Sequence, residues 1–109
     1  MTEQLLQAEL NDALDRLWKQ FLPQINERVA ALEGAGKKLA ECALSEEQRE
    51  EAQFAAHKLA GVLGTFGLTK GTVLAREAEL LCATDADPGS AAQLSGIAAQ
   101  LRSLINSRA

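Results

Sequence analysis

Ser45-Glu46-Glu47-Gln48-Arg49-Glu50-Glu51-Ala52-Gln53-Phe54-Ala55-Ala56-His57-Lys58-Leu59-Ala60-Gly61-Val62-Leu63-Gly64-Thr65-Phe66-Gly67 is the stretch that decides the fold. Ser45 and Gln48 have the spacing of a capping box, in which the hydroxyl takes the amide of the third helical residue and the Gln side chain returns the bond. A helix is therefore expected from Glu46 to about Phe66, where Gly67 can end it. At 100° per residue with His57 at zero, Ala52, Ala55, Leu59, Val62, Leu63 and Phe66 fall between about 140° and 240°, which makes them the core face. His57 points the other way, and Glu50, Gln53, Ala60, Gly61 and Gly64 share its side.

Outward from this helix the same periodicity recurs. Toward the N-terminus, Thr2 can cap a helix with the stripe Leu6, Leu10, Leu14, Leu17 and Phe21. Pro23 suits the first turn of a second helix through Ile25, Val29, Leu32 and Leu39, whose far end Gly34 and Gly36 weaken or bend. Toward the C-terminus, a fourth helix carries Val73, Leu74, Ala78 and Leu81. Asp87-Pro88 then reads as a cap with proline at the first helical position. The fifth helix has the clearest stripe: Leu94, Ile97, Ala98, Leu101, Leu104 and Ile105. Short connections favour antiparallel neighbours. The expected architecture is all-α, one domain over 1–109: an antiparallel up-and-down four-helix bundle with an additional N-terminal helix.

Composition agrees. The 109 residues include twenty Ala and eighteen Leu but only eleven Val, Ile and Thr together and no Tyr, so strand formers are scarce. Eleven Lys and Arg against fifteen Asp and Glu give a net charge of -4, and no basic run exceeds Lys37-Lys38, which disfavours nucleic acid as a partner. The longest uncharged stretch, Pro88 to Leu101, falls short of the roughly 20 apolar residues of a membrane span. With no cationic leader, a soluble cytoplasmic protein is expected. Cys42 and Cys82 lie far apart, and with one His in the chain they make neither a disulfide framework nor a metal site; both read as small buried groups.

Gly61 and Gly64 are the anomaly on the His57 side. Each glycine inside a helix costs about 1 kcal/mol relative to alanine. Side chains lean toward the helix N-terminus, so a side chain at 61 would lie over the imidazole of residue 57. Bare positions there leave a strip, formed by Ala60, Gly61 and Gly64, along which another protein could approach His57. Paired glycines also suit close helix packing, and a lone surface histidine is by itself ordinary; periodicity leaves both readings open.

The segment Ala56 to Gly67 resembles the signature of histidine-containing phosphotransfer (HPt) domains, roughly His-x-Leu-Lys-Gly-Ser-x-Gly-x-Leu/Phe-Gly. His57, Leu59, Gly61, Gly64, Phe66 and Gly67 are in register, and the likeness extends to Leu74-Ala75-Arg76-Glu77-Ala78-Glu79. There are two departures: Ala60 stands where the family usually has Lys, and Val62 where it has Ser. Lys58 lies about 100° round the helix, and its long stem could serve in place of the missing cation.

The resemblance implies a phosphocarrier that takes a phosphoryl group on His57 from the phospho-aspartate of one receiver domain and passes it to another. It implies response regulator receiver domains and a sensor (hybrid) histidine kinase as partners. Neutral imidazole is a competent nucleophile, since a free imidazole titrates at about 6.5. It also implies an acceptor for the Nδ1 proton on the next helix, which by register is Glu79; Arg76, three residues earlier, is the competing partner for that carboxylate. Gln53, one turn before His57, and Lys58 are the other supporting candidates. No cofactor is expected on this chain, Mg²⁺ being expected on the receiver, and a monomer is expected. The chain has no P-loop or kinase nucleotide box with which to phosphorylate itself. A non-phosphorylated adaptor docking through the same face remains open; a hydrolase using His57 as base lacks any oxyanion or metal arrangement.

Overall fold

The computed structural model describes residues 2–83 and 87–108. Four α-helices follow one another, α1 (Thr2–Ala40), α2 (Glu46–Thr65), α3 (Thr69–Ala83) and α4 (Ala91–Arg108), with one 3₁₀ turn at Pro88–Ser90. The described residues include no strand.

The first two expected helices are one. Pro23 sits inside α1 and does not end it. A proline removes one hydrogen bond and crowds the preceding turn. Here, however, Pro23 is exposed, so the carbonyl it orphans can turn to water. Trp18, Ile25, Val29, Leu32 and Leu39 bury into one core on both sides of it. That shared packing outweighs the local defect. The separate N-terminal helix is thus the first half of α1, and its stripe is largely uncovered: Leu6, Leu10, Leu17 and Phe21 are exposed and Leu14 only half-buried. The molecule measures 58 × 20 × 19 Å because α1 outruns the bundle at this end. Gly36 does not interrupt α1. It is buried, and a Cβ there would stand 3.3 Å from the Ser95 amide nitrogen of α4, so it serves close helix packing.

Both ends of α2 form as the sequence predicts. The Ser45 hydroxyl accepts the Gln48 amide at 3.1 Å, and the Gln48 side chain accepts the Ser45 amide at 2.9 Å. At the other end Gly67, with φ +75°, makes a Schellman turn: its amide donates to the Gly64 carbonyl and that of Leu68 to the Leu63 carbonyl. In α3 the buried face is Gly71, Leu74, Ala75, Ala78 and Cys82. Val73 is exposed and Leu81 half-buried, so the apolar stripe lies one residue round from the predicted one. The Asp87 carboxylate caps the 3₁₀ turn, and α4 buries Leu94, Ile97, Ala98, Leu101 and Ile105 as expected. Cys82 is buried, but Cys42 is exposed in the turn after α1 with φ +56°, a left-handed conformation that favours glycine. Among the described residues no helix is long and apolar enough to cross a membrane.

Candidate functional site

The inner face of α2 fixes the direction of its outer face. Leu59 and Leu63 are fully buried, with Ala52, Ala55 and Ala56 beside them. His57 therefore faces solvent, its side chain 67% exposed. The small buried residues Ala56 and Ala60 of α2 and Gly71, Ala75 and Ala78 of α3 let these helices run close together. Polar ties cross their seam. The Thr72 hydroxyl donates to the Ala60 carbonyl at 3.0 Å, Arg49 donates to the Cys82 carbonyl, and His57 Nδ1 meets Glu79 Oε2 at 2.9 Å.

The last contact sets the chemistry of the ring. An ionised carboxylate can only accept, so the bond assigns a proton to Nδ1 and leaves the Nε2 lone pair free on the solvent side. Glu79 is held for this by its neighbours in α3: Ala78 and Cys82 are buried, so the carboxylate lies at the edge of the helix facing α2 and is only 28% exposed. No bond forms between Glu79 and Arg76; the carboxylate goes to the imidazole instead.

The other predicted residues divide. Gly61 is open, with nothing within 4 Å of a Cβ built there. Gly64 is exposed, yet a Cβ would stand 3.3 Å from the Thr72 hydroxyl, so this glycine also accommodates α3. Ala60 is not on the exposed strip. It is 6% exposed and turned into the seam with α3, because residues 60° from the outward direction face whichever neighbour flanks the helix. Lys58 sends its ammonium over the Phe54 ring, 5.2 Å from the centroid. Gln53 accepts from Arg49 at 3.4 Å and makes no bond to the imidazole.

The sequence reading missed the contribution of α1. Phe21, Gln24 and Arg28 line a shallow groove with His57, Lys58 and Gly61. The Phe21 ring lies 6.2 Å from the Phe66 ring in an edge-to-face arrangement. Their spacing of three and four marks them as one face, but only the packing of α1 against α2 shows that this face borders His57. Burial pushes the Cys82 thiol above its usual range, with a smaller opposing pull from Arg49, which suits a core group and not a nucleophile.

Comparison with known proteins agrees with this geometry. Residues 4–107 match the family described as Hpt domain. Protein RcaC of Microchaete diplosiphon is 39% identical over 66 residues, which are 61% of this chain and 10% of that protein. The chain thus spans about a tenth of the length of this curated relative. No solved structure matches. Since the family match covers nearly the whole bundle and contains the exposed histidine and its carboxylate partner, this chain belongs to the Hpt domain family.

Proposed function

We propose that the protein is a phosphocarrier in a two-component phosphorelay, accepting a phosphoryl group on Nε2 of His57 from the phospho-aspartate of a receiver domain and passing it to a second receiver. The observation that carries this reading is the His57–Glu79 contact at 2.9 Å on an otherwise bare, exposed helix face. The Nε2 lone pair attacks phosphorus, the bond from phosphorus to the aspartyl oxygen breaks, and the receiver's carboxylate leaves with that electron pair. The ring, which keeps its Nδ1 proton, becomes a phospho-imidazolium, and the adjacent Glu79 carboxylate balances the new positive charge. Nothing on this chain has to remove a proton. An imidazolium is also a good leaving group, so the same pairing serves the onward transfer, in which a receiver aspartate attacks phosphorus and the Nε2–P bond returns its electrons to the ring.

The receiver brings its own reactive acyl phosphate, and the metal ion and lysine that activate it belong to that partner. This chain contributes an oriented nucleophile and a surface without obstruction. The test is incubation of the full chain with a phosphorylated receiver domain, followed by mass mapping. The expected result is one added phosphoryl group on His57 and none in His57→Gln. An unmodified wild-type chain that nevertheless binds the receiver would make it a docking adaptor.

A further inference from the structure

We infer that Arg28, on the α1 wall of the groove, is the cation that holds the phosphoryl oxygens once His57 is phosphorylated; this rests on the phosphocarrier reading above. Of the six arginines, Arg49, Arg102 and Arg108 are engaged with Glu46, Glu33 and Asp15. Arg16, Arg28 and Arg76 make no ion pair with the described residues, and of these only Arg28 is half-buried. Arg28 thus lines the groove with no anionic partner among the described residues, and a guanidinium so placed is available to a ligand. The groove that Arg28 lines is the one containing His57.

The need for a cation there follows from charge. A phosphoryl group on Nε2 would bring up to two negative charges beside Glu79, in a chain of net charge -4. Ala60, buried toward α3, supplies none, and the Lys58 ammonium rests on Phe54. Arg28 would approach from the α1 side of the groove, whereas Glu79 belongs to α3. Gly61, also lining the groove, leaves that approach open, since nothing stands within 4 Å of a Cβ there. Guanidinium offers parallel donors to two phosphoryl oxygens, and Gln24, one turn earlier on the same groove wall, offers an amide beside it. Glu79 and Arg28 then divide the work: one holds the ring, the other the group it carries.

The experiment uses phosphoramidate, a small donor that requires no protein docking, with the full chain and its Arg28→Met and Arg28→Lys variants. The rate of phosphohistidine formation is followed by mass spectrometry and the fold by helical circular dichroism. Methionine keeps an apolar stem of similar length and removes the charge. The expected outcome is a loss of about 10-fold or more in Arg28→Met, the size of one charge-assisted hydrogen bond, with helicity unchanged and most of the rate restored in Arg28→Lys. Equal rates in wild type and Arg28→Met would overturn the assignment while leaving His57 as the acceptor. Loss in Lys58→Ala but not in Arg28→Met would move the role to Lys58 and likewise overturn it. No phosphorylation of His57 in the wild type under these conditions would overturn both this inference and the phosphocarrier reading, whereas loss in Arg28→Met together with unfolding, and no recovery in Arg28→Lys, would make Arg28 a packing residue.

Discussion

The two faces of α2 carry opposite kinds of information. Its inner face, Ala52, Ala55, Leu59 and Leu63, is buried and could exchange one aliphatic shape for another at modest cost. Its outer face carries a histidine, a lysine on an aromatic ring and two glycines, of which only Gly64 also makes room for a neighbouring helix. The contrast teaches that in a small helical domain the core sets the rotational angle of the helix, and that angle in turn aims the exposed histidine. The proposed transfer depends on what is left off the outer face as much as on what is present.

That separation can be broken experimentally, and the largest effect lies inside. Leu59→Ala should destabilise the protein by about 2–5 kcal/mol, as fully buried leucines do, while His57→Gln, two residues away, should leave the melting temperature nearly unchanged. Comparable losses for the two would mean that the faces are not distinct. The glycines give a smaller, signed effect. Gly61→Ala should stabilise by up to about 1 kcal/mol, since its Cβ meets open space. Gly64→Ala should gain less, because the Thr72 hydroxyl must yield from 3.3 Å. An equal gain at both sites would show that α3 is not in contact at Gly64. Smallest in energy but simple to read is thiol reactivity. The Cys82 thiol, pushed up by burial, should stay unmodified at mildly alkaline pH in the native protein, whereas exposed Cys42 reacts at once with an aromatic disulfide reagent. Rapid modification of both thiols would mean that the α3 face is open.

Much of the bundle was legible because its signals are local. Ser45 with Gln48, Gly67, and the stripe from Leu94 to Ile105 each determine their own backbone within one or two turns. Misreadings occurred where distant packing decides. Pro23 looks like a boundary in any window of a few residues, yet Trp18 and Ile25 on either side share one core. The leucines at 6, 10 and 17 have helical spacing, but spacing reports that a face is apolar and not that anything covers it. Cys42 reads as a small buried group, and its exposed left-handed turn follows from how α1 is joined to α2. At the site, His57, Gly61 and the register to Glu79 could be read along the chain. Ala60's inward turn and the approach of Arg28 could not, since both depend on which helices flank α2.

The role proposed for Glu79 is to hold the Nδ1 proton and so commit Nε2 to the chemistry. Nitrogen-15 and phosphorus-31 NMR of the protein phosphorylated by a receiver domain tests it directly, because the two phosphohistidine isomers give different ring-nitrogen shifts and couplings. The expected result is phosphorus on Nε2 with a proton retained on Nδ1, and a slower transfer in Glu79→Ala, in which no carboxylate fixes the ring. Phosphorus on Nδ1, or a Glu79→Ala variant that transfers as fast as the wild type, would contradict it.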